Sequence, residues 1–237
     1  MLTSVALLVV AIAAARFGVA ECSCKDVDHN CESWVLFDRD ACEYNPYITE
    51  HCKKSCGAFC DPLLPEYDIG QLPQELRPVS FLVGRWRTEH EGKVRWPSIP
   101  TFTYGEEIDF RLAKNPFRHL PALNFSSFAW ERHENDDLHS EQGFLAVDPA
   151  QPSRVALSTI MTNGFSAIEE GTVLRNQIRF KLKDVGRITF SRDIPILELN
   201  RVFTLVKEDV LEQRIEMATI THDLQEHTFI RYKRIYP

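Results

Sequence analysis

The sequence predicts a mainly β protein with a small disulfide-rich module at its amino end, and three observations predict it. All seven cysteines lie between Cys22 and Cys60. From Val79 onward the chain divides into short alternating runs of polar and apolar residues bounded by turn signals, and no stretch there reads as a long helix. The two parts are joined by a proline-rich segment. With 237 residues, 44% hydrophobic and 26% charged, the chain has the composition of a globular protein with a sizeable core. Its net charge is −7, its pI is near 5.6, and no Lys/Arg run is dense enough to track a phosphate backbone, so nucleic acid is excluded as a partner.

Taken in order, the first twenty residues come first. They place an apolar stretch from Leu2 to Ala15 ahead of small residues at Gly18 and Ala20, the spacing a signal peptidase favours. The stretch falls short of the roughly 20 apolar residues of a bilayer span. Residues 1–20 are expected to be a signal peptide cleaved after Ala20, which makes the mature chain secreted and extracellular. No later stretch is apolar enough to span a membrane.

Residues 22–60 form the cysteine module. So short a segment cannot bury enough apolar surface to fold on a core alone, and export provides the oxidising compartment in which disulfides replace that core. Spacing alone leaves the connectivity of six cysteines open. The C-x-D start at Cys24, the C-x-x-W of Cys31 to Trp34 and the closing pair Cys56 and Cys60 resemble the ShK toxin (ShKT) family. That resemblance implies short helices and the bridges Cys24–Cys60, Cys31–Cys52 and Cys42–Cys56. Three residues separate Cys56 from Cys60 where the family usually has two. Channel blockers of the family carry Lys-Tyr between the third and fourth cysteines, but this segment reads EYNPYITEH, which favours a structural and interaction module over a channel ligand. Cys22 is left over, and an odd thiol in a secreted chain points to a disulfide-linked dimer or a small-thiol cap.

Residues 61–78 contain four of the thirteen prolines and read as an ordered linker, with one helical turn at Gln74 to Leu76. Residues 79–237 are the β domain. Its clearest runs are Ile178 to Lys183, Arg187 to Ser191, Arg201 to Val206 and Arg214 to Thr221. Roughly eight to ten such runs argue an antiparallel sandwich or an up-and-down barrel, and a closed barrel leaves no edge strand and an interior able to hold one small ligand.

The run FLVGRWRTEHEGKVRWPSIPTFTYGEEIDF from Phe81 resembles the opening hairpin of the nitrobindin family, heme-binding β-barrels also found fused behind THAP-type zinc fingers. Further matches follow in order at Pro121, Leu138, Asn163-Gly164, Gly186 and Met217. The resemblance implies an antiparallel up-and-down barrel, akin to fatty-acid-binding proteins, that holds heme b and its iron on His227. It also implies Met217 and Leu138 as apolar pocket walls, His139 as a second pocket-side histidine and Ser98 as a hydrogen-bond donor near the cofactor. Three positions depart from the pattern. Thr88 and His90 stand where the motif G-x-W-x-G-x-G has glycines, and Thr228 stands where the family has Leu after the proximal histidine.

The residues alone add little to the assignment of His227. Alternation groups it with Phe229, Arg231 and Lys233 against Thr228, Ile230 and Tyr232, and neither set is plainly dry. Trp86 reads as barrel core. Glu106 and Glu107 alternate to opposite faces, which argues against a paired acid and base, and both read as structural. Asn124-Phe125-Ser126 is the one glycosylation sequon after residue 20. No hydrolase, zinc-protease or phosphate-loop motif is present.

The expected function is therefore that of a secreted heme b protein binding nitric oxide or isomerising peroxynitrite to nitrate at a His-ligated ferric iron. The alternative is a non-catalytic extracellular carrier of fatty acid or another apolar ligand, with the ShKT module as interaction domain.

Overall fold

The computed structural model describes residues 22–23, 25–57, 61–113, 120–131 and 137–237. The expected Cys24–Cys60 bridge and residues 1–20 lie outside them. The cysteine module begins with β1 (Cys22–Ser23), continues through α1 (Cys31–Phe37), α2 (Ala41–Tyr44) and α3 (Pro46–His51), and leads to β2 (Asp61–Pro62), which pairs with β1. Pro46 suits the first turn of α3, where no N–H partner is needed, and the Asn45 side chain caps that turn by accepting from the N–H groups of Tyr47 and Ile48. Two disulfides, Cys31–Cys52 and Cys42–Cys56, staple the helices around a miniature core of Cys31, Ala41, Ile48 and Cys52. The C-x-D motif has a mechanical reason, since the Asp26 carboxylate accepts from both Ser55 N–H (3.0 Å) and Ser55 Oγ (2.6 Å) and ties the two ends of the module together.

The β domain is a closed antiparallel barrel of ten strands: β3 (Gly84–Trp96), β4 (Ile99–Leu112), β5 (Ala122–Glu131), β6 (Asp137–Val147), β7 (Arg154–Met161), β8 (Phe165–Leu174), β9 (Gln177–Arg187), β10 (Ile196–Lys207), β11 (Val210–Thr219) and β12 (His222–Tyr236). Each strand pairs with the next, and β12 closes on β3, so the sheet has no edge. Arg187 to Ser191, expected as a strand, is corrected here: only Arg187 belongs to β9, where it faces Phe165, the first residue of β8. Beyond it the chain has outrun its partner strand, and residues 188–195 form a loop in which Phe190 is 81% exposed.

One end of the barrel is filled and the other is open. The linker folds as 3-10 turns at Pro65–Tyr67, Ile69–Gln71 and Gln74–Leu82, and drives Tyr67, Leu72, Leu76, Val79 and Leu82 into the main core. Tyr67 Oη donates to Asp109, and Trp86, fully buried, donates its indole N–H to the Leu82 carbonyl at 2.8 Å. Trp86 is therefore core, as the sequence suggests. Phe110, Phe125, Phe180 and Phe203 continue this apolar plug upward. Above the plug, toward the β3–β4, β7–β8, β9–β10 and β11–β12 turns, the interior is hollow.

Candidate functional site

The hollow is a cavity of about 480 Å³, within the range of small-molecule sites. Its walls are largely apolar, with Val94, Phe102, Ile215, Met217, Leu199 and Phe165 among them. His227, His139, Met217 and Leu138 all line it. Ser98 does not, being exposed in the β3–β4 turn between the lining residues Trp96 and Ile99.

His227 reaches the cavity through an irregularity that alternation cannot show. Ile215 pairs with Thr228 while the next residue, Glu216, pairs with Glu226, so His227 is one extra residue in β12. Such a bulge re-aims a side chain. His227 and Thr228 consequently both face inward, whereas Phe229 and Arg231 resume the outer face. The Trp96 ring meets His227 edge-on at 5.2 Å, and Nδ1 of His227 is buried without a hydrogen-bond partner. Burial lowers the imidazole pKa, the neighbouring His139 lowers it further, and the Arg95 backbone acts the other way. The result is a ring on the wall of an apolar chamber whose neutral form is favoured by burial. A second bulge acts on β6, where Ala129 pairs with His139 but Trp130 pairs with Asp137, leaving Leu138 as the extra residue at the mouth.

Beneath these residues lies a layer of buried charge. Arg201, 2% exposed, donates through Nη2 to both oxygens of Glu141 at 3.1 Å and through Nε to Glu169 at 3.2 Å. Glu141 also meets His139 Nε2 at 3.2 Å. Gln213 accepts from Arg201 and donates to the Tyr232 hydroxyl. The hydroxyls of Tyr232 and Tyr104 neighbour Glu106. Burial pushes the Glu141 carboxyl up, but the Arg201 and His139 charges outweigh it and hold the group near 2. Glu106 lacks such a partner: burial, then the Glu141 charge, raise it to about 7. His139 is lowered by burial yet ends above its usual value because Glu141 bonds it.

The sequence reading missed this layer. Glu106 and Glu107 do face opposite ways, with Glu107 outside between Arg85 and Arg87, but Glu106 belongs to the cavity rather than to the scaffold. A signal was present in β10, where Arg201 occupies the same parity as the buried Leu199 and Phe203. Glu141 likewise shares parity with His139 and the buried Leu145.

Residues 75–234 match the THAP4-like, heme-binding β-barrel domain family. The chain belongs to this family of heme-binding barrels. A Caenorhabditis elegans protein, C28H8.5, is 42% identical over 223 residues, covering 90% of this chain and 74% of that one. Peroxynitrite isomerase THAP4 of Rattus norvegicus is 29% identical over 175 residues, which are 74% of this chain but 30% of the rat protein. Among solved structures, Rv2717c from M. tuberculosis superposes with a TM-score of 0.59 at 25% identity, over 69% of this chain and 99% of that one.

The residues of the cavity fit the group that the family binds. Heme asks for a neutral nitrogen donor on a rigid element and for apolar surface against both ring faces. A bulged strand held by Trp96 supplies the donor, its ring nitrogen unclaimed by protein, and Val94, Phe102, Ile215 and Met217 supply the surface.

Proposed function

We propose that this chain is a secreted heme b protein that holds the iron on His227 and meets nitric oxide or peroxynitrite in the cavity above its charged floor. The observation that carries the reading is the buried His227 imidazole, unpartnered at Nδ1 and turned by its bulge into an apolar cavity. When bound, heme supplies an iron centre able to accept a small nitrogen oxide. The chain's own residues do the rest. Trp96 fixes the ring plane of His227, burial keeps that ring neutral, and Met217, Ile215 and Phe102 keep bulk water off the site. Leu138 and His139 stand at the mouth side of the same wall, where a ligand passes. In this reading Ser98 acts from the rim.

The carrier alternative is narrowed by Arg201. A barrel that takes a fatty acid head-first needs a cation for the carboxylate, and the one fully buried cation among the described residues is already held by Glu141 and Glu169. The ShKT-like module serves in this proposal as a stapled interaction domain. The name of the THAP4 relatives, peroxynitrite isomerase, supports peroxynitrite as the substrate.

Hemin titration tests the assignment. Wild-type protein should develop a Soret band that saturates at one equivalent, and His227→Ala should lose it or bind at least about tenfold more weakly, a loss of roughly 1.4 kcal/mol or more. Failure of the wild type to take up hemin would sink the reading. Stopped-flow decay of peroxynitrite with loaded protein then separates catalyst from carrier, because a carrier leaves the spontaneous rate unchanged.

A further inference from the structure

Three ionisable groups line one side of the cavity from floor to mouth, and ligand holding explains none of them. Glu106 enters from β4, His139 and Glu141 from β6. Glu106 is 6% and Glu141 5% exposed, and all three sit in a chamber whose other walls are mainly apolar. A buried carboxyl is costly unless it is paired, protonated or used. Glu141 is paired with Arg201 and His139. Glu106 has no cation of its own, only the hydroxyls of Tyr104 and Tyr232.

We propose that Glu106, Glu141 and His139 form a proton store for the cavity, with Glu106 as the buried reserve and His139 as the end that exchanges with solvent, so that a small anion entering the pocket is taken up with a proton. This rests on the reading of the cavity as the ligand site and names its ligand class, the anion of a weak acid. The groups facing Glu106 are Tyr104 on its own strand, Glu141 and His139 on β6, Arg201 on β10 and Tyr232 on β12. Arg201 spends its charge on two carboxylates, and the Glu141 charge then acts on both remaining groups, keeping the proton on each. Among the described residues the floor thus presents no free cation to an anion, and charge balance is met by proton transfer instead.

The step is balanced within the protein. An anion accepts the proton, the O–H or N–H bond that held it breaks, and the store is left one proton short. The carboxylate formed at Glu106 is met by two phenol hydroxyls, which can turn to donate to it. Solvent restores the proton through His139, whose side chain is 34% exposed while Glu141 behind it is 6%. The Glu141 carboxylate, 3.2 Å from His139 Nε2, raises the proton affinity of both His139 and Glu106, so both ends of the store favour keeping a proton.

Infrared difference spectroscopy on the heme-free chain is the first test. The carbonyl stretch of a protonated carboxylic acid should be present at pH 6, vanish by pH 9, and be absent at both pH values in Glu106→Gln. A wild-type spectrum without such a band at pH 6 overturns the proposal and needs no variant, so a misfolded mutant cannot hide the answer. The second test uses azide as probe on hemin-loaded protein. Wild-type azide affinity should fall about tenfold per pH unit above pH 7 and stay level in Glu106→Gln, and saturating azide at pH 6 should bleach the carboxyl band. A pH-independent wild-type affinity, or a band that azide leaves untouched, refutes the store. A chain that takes up no hemin fails the heme reading alone, because the heme-free spectrum still decides on Glu106.

Discussion

Replacing Arg201 by Met isolates what the buried charge layer costs and what holds it. The substitution fills similar volume but leaves Glu141 and Glu169 facing the interior without their shared guanidinium. Breaking a buried ion pair from one side costs about 3–5 kcal/mol. The chain can limit that cost by protonating both carboxyls. From the ordinary glutamate value of 4.5 this takes about 1.4 kcal/mol per group per pH unit, so about 7 kcal/mol for two groups at pH 7 and about 1 kcal/mol at pH 5. Arg201→Met should therefore lose about 3–5 kcal/mol at pH 7 and no more than about 2 at pH 5. For Glu141 the signs run opposite in the two proteins, whereas burial raises Glu169 in both. In the wild type Glu141 sits near 2, below its unfolded value, so its contribution is present above 4.5 and is lost as pH falls toward 2. In the variant both carboxyls are raised, so stability is full in acid and lost as pH rises. Urea unfolding of heme-free protein with disulfides intact, at pH 5 and 7, measures both. The triple variant Arg201→Met, Glu141→Gln, Glu169→Gln should recover most of the loss. A cost under about 1 kcal/mol at pH 7, or the same cost at both pH values, would refute the argument.

Two further outcomes follow from single residues. Glu106 is raised from 4.5 to about 7, so its favourable contribution is full below pH 4.5 and lost as pH rises through 7; Glu106→Gln should gain about 2.5 kcal/mol on the wild type between pH 5 and pH 8, read from urea midpoints. Gly143→Ala places a Cβ 1.8 Å from the Ser158 carbonyl oxygen across the β6–β7 ladder, and should cost more than about 3 kcal/mol by thermal unfolding or prevent folding, which an unshifted melting temperature would contradict.

The barrel was legible because alternation is a property of the strand itself. Residues such as Ile178, Phe180, Arg201 and Phe203 keep strict parity and face the interior as that parity requires. The pocket was less legible because it is built where parity fails. His227 and Leu138 are each the extra residue of a bulge, and a bulge depends on the partner strand, which one strand's sequence does not contain. Resemblance supplied His227 where periodicity decided nothing. Arg201 and Glu141 failed to register for another reason: they obey parity but carry charge, and only their convergence across the barrel from β10 and β6 makes that charge tolerable.

A bulge also lies at the two positions where glycines of the family motif have become Thr88 and His90. Thr88 pairs with Glu106 and Gly92 with Tyr104, so β3 bulges outward between them, and neither Thr88 nor His90 lines the ligand cavity. Thr88 turns inward and its Oγ1 accepts the Glu91 N–H at 3.1 Å, closing the bulge as a turn. Glu89 and His90 point the other way, toward the cysteine module. His51 Nε2 lies 3.5 Å from Glu89, the His90 ring lies 6.0 Å from that of His29, and Tyr47 stacks on His51 at 4.2 Å. The bulge also coincides with the stretch of β12 between Phe229 and Lys233 where pairing to β3 lapses, and the module covers that unpaired stretch. Close backbone approach is still needed there, and Gly92 provides it, because a Cβ at that position would fall 2.8 Å from the Tyr104 carbonyl oxygen. Side chains at 88 and 90 therefore answer to the stapled module on the outside of the wall, while the ligand side of the same wall is built farther along the strand, from Val94 and Trp96.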